Sequence, residues 1–156
     1  MHEQFIKETI NLARQAREKG NEPFGSCLVK DGQIILTAEN TIHTDNDPTK
    51  HAETNLVSHA AQIFDAKTLN ESILYTSTEP CAMCAGAIYW TGIRTVVFGC
   101  SIPTLNRIAS PSLSIFCRDV FATGVEATQV IGPVLEEEAM TVHEGFWKQE
   151  SKVKNK

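Results

Sequence analysis

The sequence predicts an α/β fold in which one mixed sheet is sandwiched between helices. Three observations support this class: an amphipathic helical pattern at the start, a hairpin pattern directly after it, and helical and strand-like segments that alternate from there on. The 156 residues, of which 42% are hydrophobic and 21% charged, suit one folded globular domain. We expect that domain to span residues 1–150 and a polar tail to occupy residues 151–156.

The first two elements are marked by periodicity and by turn residues. Apolar and small residues recur at helical spacing between positions 5 and 16, and Gly20 ends that helix after a basic last turn. Two apolar runs, 26–29 and 34–36, then flank an Asp-Gly pair at 31–32, which is the favoured centre of a two-residue hairpin turn. These segments predict a helix followed by a β-hairpin.

Two further helices are expected to begin near prolines. Asp47 can cap free backbone N–H groups and Pro48 suits a first helical position, so we predict a helix from Pro48 to about Phe64. A second helix is predicted to open at Pro80 and to run through Trp90, because this stretch is largely apolar.

The remaining strands come between and after these helices. Apolar runs predict them at 73–76, 95–98 and 125–131. Residues 101–117, which include Pro103 and Pro111, are predicted to be irregular. A closing helix is expected from Pro133, since acidic residues at 136–138 suit the dipole of its first turn.

The charge and composition argue against several classes of protein. A net charge of −5 gives no basic footprint for nucleic acid or for an anionic membrane. The exception is a group of lysines near the C-terminus, at Lys148, Lys152, Lys154 and Lys156. The N-terminus lacks the apolar core of a signal peptide, and no apolar stretch is long enough to span a membrane. Five cysteines, an odd number, favour a reducing compartment, so we expect a cytoplasmic protein.

Two short motifs carry the residue types of a metal site. They are His51-Ala52-Glu53 and Pro80-Cys81-Ala82-Met83-Cys84, and each begins a predicted helix. Cys81 and Cys84 are three residues apart, so they share one helical face and can bind one ion. The positive end of a helix dipole favours the thiolate that zinc requires. If the two helix starts converge, His51, Cys81 and Cys84 supply one nitrogen and two sulfur ligands.

Three protein ligands leave the fourth position of a tetrahedral zinc site for water, which is the arrangement of a catalytic zinc. Zinc lowers the pKa of such a water to about 7 and so supplies hydroxide at neutral pH. Glu53 lies two residues from His51, where it can accept a proton from the water and pass it on. We therefore predict a hydrolase that adds water across a C=N bond and releases ammonia, with Glu53 as its catalytic residue.

The pairing of His-x-Glu with Pro-Cys-x-x-Cys resembles the signature of the cytidine and deoxycytidylate deaminase superfamily. Over residues 23–99 the chain is most similar to the branch that holds bacterial guanine deaminases, tRNA adenosine deaminases and fungal cytosine deaminase. The segments that carry the likeness are Pro23-Phe24-Gly25, Asn40, Asn46-Asp47-Pro48-Thr49, Thr78-Glu79-Pro80-Cys81 and Ala85-Gly86-Ala87-Ile88-Tyr89-Trp90.

This resemblance implies a three-layer α/β/α sandwich with a central mixed five-stranded sheet, a Zn²⁺ cofactor and a homodimer. The substrate-binding residues that it implies are Asn40, the backbone N–H of Ala52, Phe24, Trp90 and the backbone near Glu79. In guanine deaminases of this kind the C-terminal segment closes over the pocket, at times that of the partner subunit. Because the whole chain is acidic and its Ala-Ile-Tyr-Trp run resembles that branch, we expect a free purine base such as guanine as the substrate.

Other functions fit part of the pattern. Editing of adenosine in tRNA is favoured by the C-terminal lysines, but the basic, glycine-rich segment that such enzymes carry after the last zinc-side strand is missing. Cytosine, a pterin or a triazine also suits the chemistry, and a Cys-x-x-Cys pair alone suits redox exchange. A zinc-stabilised module without activity needs a fourth protein ligand, for which the candidates are Cys27, Cys100, Cys117, His43 and His143.

Overall fold

A computed structural model of the protein describes residues 1–109 and 113–147. The helices are α1 (His2–Glu18), α2 (Ala52–Ile63), α3 (Ala66–Glu71), α4 (Ala82–Thr91), α5 (Ile102–Ile108), α6 (Cys117–Ala122) and α7 (Glu136–Met140), followed by a 3₁₀ helix (Thr141–His143). The strands are β1 (Gly25–Lys30), β2 (Gln33–Glu39), β3 (Ile73–Thr78), β4 (Thr95–Cys100) and β5 (Gln129–Ile131). The predictions for Pro111, for the C-terminal lysines and for the tail at 151–156 lie outside the described residues.

The strands form one mixed sheet in the order β2-β1-β3-β4-β5. β1 pairs antiparallel with β2 across the hairpin and with β3 on its other side. β4 runs parallel to both of its neighbours, β3 and β5, so the connections on either side of it are crossovers that contain helices. The predicted five-stranded mixed sheet is confirmed in the part of the chain that the structure describes.

Helices cover both faces of this sheet. Because successive strand residues point to opposite faces, Leu28 packs with α2, α3, α4 and α6, whereas its neighbour Cys27 packs with α1 and α7. Leu74 and Tyr75 in β3 divide between the two clusters in the same way. The three-layer α/β/α sandwich is therefore confirmed. Among the described residues, no helix has both the length and the apolar character needed to cross a membrane.

The first helix and the hairpin lie where the sequence places them. α1 buries the predicted stripe, and Gly20 follows its end with a φ of 89°. Asp31 and Gly32 have φ values of 51° and 75°, and a type I′ hairpin turn needs positive φ at both central residues.

The helix predicted from Pro48 starts later, at Ala52. The reason is a local turn, in which the Asp47 carboxylate accepts a hydrogen bond from the backbone N–H of Thr49 at 2.9 Å. Asp47 therefore caps this turn rather than the helix. As a result, α2 begins directly after His51.

The region after β4 is more regular than predicted. Residues 101–117 include α5, whose first turn is capped by Ser101 as it accepts from the backbone N–H of Thr104 at 3.4 Å. α6 begins at the end of this region, where the backbone N–H of Cys117 donates to the Glu79 carboxylate at 3.1 Å. The prediction of an irregular segment is wrong for residues 102–108 and confirmed for residues 113–116, because one helix start has a local cap and the other is held by a distant side chain.

The last strand and the closing helix are both shorter than predicted. Backbone N–H groups at the start of the predicted strand 125–131 donate to the Tyr89 hydroxyl instead of to β4, so β5 keeps only its last three residues. The closing helix α7 begins three residues after Pro133. Its start is delayed because the backbone N–H of Val134 donates to the carbonyl oxygen of Phe98 in β4 at 3.0 Å.

Gly25 begins β1 beneath α1, where there is no room for a side chain. An added Cβ would lie 2.6 Å from Leu12 Cβ and 2.7 Å from the backbone nitrogen of Ala13. We expect Gly25→Ala to lower the free energy of unfolding by about 1–3 kcal/mol, measured by chemical denaturation, because overpacking forces α1 away from the sheet. Gly86→Ala is the control, since an added Cβ there meets nothing within 4 Å and alanine favours a helix. A Gly25→Ala protein as stable as the wild type would contradict this close approach.

Candidate metal centre and active site

The three side chains predicted as metal ligands lie together in the structure. His51 directly precedes α2, Cys81 directly precedes α4, and Cys84 lies in the first turn of α4. Their ligand atoms all lie within 4.8 Å of one another. His51 Nδ1 is 3.7 Å from Cys81 Sγ and 3.5 Å from Cys84 Sγ. The two helix starts thus converge as the sequence analysis required.

These spacings fit a zinc ion. With Zn–S bonds of about 2.3 Å and Zn–N bonds of about 2.0–2.1 Å, tetrahedral coordination separates a nitrogen ligand from a sulfur ligand by roughly 3.6 Å. The two measured separations lie on either side of that value, and one imidazole with two thiolates is a donor set that zinc prefers.

A fourth protein ligand is not placed at this cluster within residues 1–109 and 113–147. A zinc ion held by His51, Cys81 and Cys84 would therefore keep one coordination position for water or substrate, as in catalytic zinc sites. The alternative of a closed, four-ligand structural module has no support in the described residues.

Two of the ligands reach the site because each stands where an extended segment turns into a helix. His51 and Cys81 are the residues before the first helical ones, with extended ψ angles of 160° and 172°. α4 begins directly after Cys81 rather than at the predicted Pro80. The partial positive charge of two helix starts favours thiolates here. Ala52 and Ala85 are fully buried, and their small side chains allow α2 and α4 to pack closely.

The ligands share protons with one another. The hydrogen bond from Cys84 lowers the pKa of the Cys81 thiol to about 4, and His51 adds to this effect. In turn, the hydrogen bond with Cys81 raises the pKa of Cys84 well above its usual range. A hydrogen bond with Cys81 also raises the pKa of His51. The cluster thus readily holds one thiolate. Zinc binding must release the other protons, since its ligands are a deprotonated thiol and a neutral imidazole.

Glu53 is buried beside the ligands, with 4% of its surface exposed. Its Oε2 lies 3.4 Å from Cys84 Sγ, and its Oε1 accepts a hydrogen bond of 2.5 Å from the Thr76 hydroxyl. Burial raises the pKa of Glu53, an effect that the Thr76 hydrogen bond opposes in part. The carboxyl group is therefore a stronger proton acceptor than a carboxylate in water. The sequence analysis missed Thr76, because a buried threonine in a strand carries no local signal of such a role.

Asn40 and Ala52 each offer a hydrogen-bond donor, the first from its side-chain amide and the second from its backbone N–H. Asn40 is fully buried, and its Oδ1 accepts from the backbone N–H of Ile42 at 3.1 Å. Its Nδ2 has no hydrogen-bond partner among the described residues, which costs about 1–3 kcal/mol for a buried donor. As the first residue of α2, Ala52 carries an N–H that has no acceptor within the helix. Both groups can therefore donate to a polar ring.

The Phe24 ring contacts aromatic side chains of the C-terminal segment. Its ring centroid lies 5.3 Å from that of His143 in an edge-on arrangement and 6.1 Å from that of Trp147. His143 is buried, and burial lowers its pKa to about 4. The sequence analysis raised His143 only as a fourth metal ligand, but the structure places it in this aromatic cluster instead.

The buried side chain of Glu79 organises the chain after β4. One carboxylate oxygen accepts from the backbone N–H of Ile102 at 3.2 Å, and the other accepts from the backbone N–H of Cys117 at 3.1 Å. Glu79 thus binds the starts of α5 and α6 together. The expected contact of the backbone near Glu79 with a leaving amine stays a prediction.

Trp90 lies apart from the site. It stands near the end of α4, nine residues after Cys81, and 85% of its surface is exposed. A helix rises about 1.5 Å per residue, so roughly 13 Å of helix separates the two positions. In the single chain the Trp90 ring contacts Tyr89, and its part as a pocket wall stays a prediction.

Together, the layered fold and the cluster of one histidine and two cysteines define a zinc-dependent hydrolase with an open coordination position. Residues 1–100 match the family described as the cytidine and deoxycytidylate deaminase zinc-binding region. The chain belongs to this deaminase family, as predicted, and zinc is its cofactor.

Three relatives are similar over different lengths and carry different names. A "Probable cytosine deaminase" of Schizosaccharomyces pombe is 40% identical, over 92% of this chain and 90% of its own. A "Guanine deaminase" of Bacillus subtilis is 45% identical, over 62% of this chain and 63% of its own. A crystal structure of guanine deaminase from that organism covers 100% of this chain and 95% of its own, with a TM-score of 0.67 and 32% identity. A "tRNA-specific adenosine deaminase", also of Bacillus subtilis, is 33% identical over 97% of this chain and 92% of its own.

Zinc content is the first test of the ligand cluster. We expect Cys81→Ser and Cys84→Ser proteins to lose most of their zinc, measured by atomic emission, because a serine hydroxyl is a poor zinc ligand. Cys100→Ser is the matched control: Cys100 lies outside the ligand cluster, and its Sγ donates to the carbonyl oxygen of Ser101 at 3.6 Å, a bond that a hydroxyl can also make. Full zinc occupancy in both ligand variants would show that the metal is held elsewhere.

Glu79→Gln tests the bonds that hold the two helix starts. Glutamine has one acceptor oxygen where glutamate has two, so one of the two backbone N–H groups loses its partner. We expect the free energy of unfolding to fall by about 1–3 kcal/mol and hydrogen exchange to rise at Ile102 or Cys117. Glu126→Gln, on the surface, serves as the control. Unchanged exchange at both backbone groups would contradict this role of Glu79.

Proposed function

We propose that this protein deaminates a free nucleobase by hydrolysis, replacing a ring amino group with a carbonyl and releasing ammonia. The observation that carries the proposal is the buried carboxylate of Glu53 beside three zinc ligands that leave a coordination position open. Zinc, when bound by His51, Cys81 and Cys84, supplies a water whose pKa is lowered to about 7.

Glu53 is proposed as the catalytic residue that moves protons. Its carboxylate accepts a proton from the attacking water and donates it to a ring nitrogen beside the amino-bearing carbon. It then takes the second proton from the added oxygen and passes it to the amine, which leaves as ammonia as the carbonyl forms. The Thr76 hydroxyl donates to Oε1 of Glu53 at 2.5 Å, and this bond fixes the orientation of the carboxylate, including its second oxygen, Oε2. The raised pKa that burial gives Glu53 favours both halves of this cycle, since the group must take up and release a proton at neutral pH.

Three groups are proposed to hold the base. The Asn40 Nδ2 and the Ala52 N–H donate to ring oxygen or nitrogen atoms, and the buried, unpaired state of Nδ2 supports its part. The Phe24 ring is proposed as an apolar wall, and the bond from the Asn40 N–H to the Phe24 carbonyl oxygen at 3.1 Å supports this by holding the two residues together. Such a pocket binds a flat ring with few polar contacts.

Guanine is the first substrate that we propose. The local likeness to a guanine deaminase, 45% over 98 residues, supports this choice. Cytosine is the second, because the 40% likeness to a probable cytosine deaminase extends over 92% of the chain and so includes the region after β4. Adenosine in tRNA is less favoured, since the net charge of −5 opposes binding of a polyanion.

A cytoplasmic location and a homodimer remain predictions. The odd number of cysteines, all free in the structure, supports a reducing compartment. The exposed ring of Trp90, next to that of Tyr89, supports an interface on the outer end of α4.

The catalytic role of Glu53 is tested with an isosteric variant. We expect Glu53→Gln to keep its zinc and its fold but to lose about 10²–10⁴-fold in turnover, because an amide cannot carry the proton. Glu39→Gln is the control, an acidic residue at the end of β2. Near-normal ammonia release by Glu53→Gln would remove Glu53 from this role.

The substrate is tested by a panel scored for ammonia release. Guanine, cytosine and adenine are compared with their nucleosides and with a tRNA anticodon stem-loop at two salt concentrations. We expect turnover of a free base, with guanine ahead of cytosine, and no dependence on salt. Turnover of the stem-loop alone, weakening steeply as salt rises, would replace our proposal with tRNA editing.

A further inference from the structure

An aromatic cluster joins the C-terminal segment to the end of the sheet at which β1 begins and β3 stops. It consists of Phe24, His143 and Trp147, whose ring centroids lie 5.3–6.1 Å apart. Extending the antiparallel register of β1 and β3 places Phe24 opposite Thr78, three residues before the ligand Cys81. The cluster is therefore joined to the strand that leads to Cys81 and, through the Phe24 carbonyl oxygen that accepts from the Asn40 N–H at 3.1 Å, to a proposed base contact.

His143 is the hydrogen-bonding member of this cluster. Its Nδ1 lies 3.1 Å from Trp147 Nε1, and its Nε2 lies 3.3 Å from Thr78 Oγ1. Because an indole N–H can only donate, Nδ1 must be the acceptor, and the neutral ring then carries its proton on Nε2. That proton donates to the Thr78 hydroxyl, so both ring nitrogens have partners. Burial and the nearby Arg17 lower the pKa of His143 to about 4, which agrees with the neutral form.

A second set of bonds holds the same segment to α1. Arg17 Nη1 donates to the backbone carbonyl oxygens of Val142 at 2.9 Å and Glu144 at 2.6 Å. The guanidinium also lies over the Phe146 ring, 5.7 Å from its centroid. These contacts fix the backbone on either side of His143, whereas the Trp147 ring is held by the His143 bond and by the edge-on Phe146 ring, 4.9 Å away between centroids.

We propose that His143 is a positioning residue that, by binding Thr78 and Trp147 at once, holds the C-terminal segment of its own chain against Phe24 as one wall of the base pocket. This inference rests on the proposed function, because it assigns a wall to the pocket of that same site. His143 touches no reacting atom in this account. Its effect is on how tightly the base is held, through the placement of two aromatic rings.

Kinetics of three variants test the proposal, with the base that the wild type turns over fastest. His143→Leu keeps much of the side-chain volume but loses both hydrogen bonds, and Trp147→Phe keeps an aromatic ring but loses the N–H donor. We expect each to raise KM about tenfold and to change kcat by less than about threefold, with zinc content unchanged. His143→Asn places an amide oxygen near the position of Nδ1 but does not reach Thr78, so it keeps the bond to Trp147 alone and is expected to have a KM between those of the wild type and His143→Leu.

A second readout needs no substrate. In a Trp90→Phe background the emission of Trp147 reports its surroundings, since the chain has only two tryptophans. We expect His143→Leu to shift this emission to longer wavelength as the ring becomes solvated, and His143→Asn to leave it unchanged. An unshifted emission in His143→Leu would overturn the proposal that His143 positions Trp147, whatever the protein does to nucleobases.

The outcomes separate this inference from the proposed function. If the wild type deaminates no base, the proposed function fails, and the emission experiment still decides whether His143 holds Trp147. If a base is turned over but both His143→Leu and Trp147→Phe keep the wild-type KM, the inference fails while the function stands. Equal impairment of the Leu and Asn variants would also overturn it, because the hydrogen bond to Trp147 would then not be the cause.

Discussion

The site depends on the meeting of two helix starts, because their positive ends offset the negative charge gathered there. Two thiolates and the Glu53 carboxylate would bring three negative charges together, with only 3.4 Å between Glu53 Oε2 and Cys84 Sγ. In a buried site such repulsion is severe. The positive ends of α2 and α4 oppose it, and a dication opposes it further. The close packing of these helices on their small residues is therefore an electrostatic requirement as well as a packing one.

The same balance explains why Glu53 is suited to carry a proton. Burial and the neighbouring thiolate of Cys81 raise its pKa, whereas Thr76 and His51 lower it. A bound dication adds to the lowering. Opposing effects of this kind bring a carboxyl group toward the pH at which it works, which is what acid–base catalysis requires. β3 takes part directly, since it carries Thr76 on the face that meets α2 and ends just before the ligand Cys81.

The catalytic half of the molecule could be predicted from the sequence because its determinants are local. His51 and Cys81 occur in short motifs at helix starts, and the hairpin turn is specified by its own two residues. The later elements are less predictable for different reasons. The cap of α5 was a readable signal, a serine three residues before a threonine, with proline in the first turn. The start of α6 was not, because its bond comes from Glu79, 38 residues earlier in the chain. The position of Trp90 depended on helix geometry that a family resemblance alone does not give.

This division also bears on why relatives with different named substrates share so much of the chain. Several of the bonds that place the region after β4 run from side chains to backbone, as in the contacts of Glu79 with Ile102 and Cys117 and of Arg17 with Val142. Bonds to backbone hold a segment in place without fixing which side chains it presents. The side chains that face a base can therefore change while the zinc ligands, Glu53 and their helix starts stay as they are. Overall identity is then a poor guide to the ring that is bound, and the individual side chains that line the pocket are a better one.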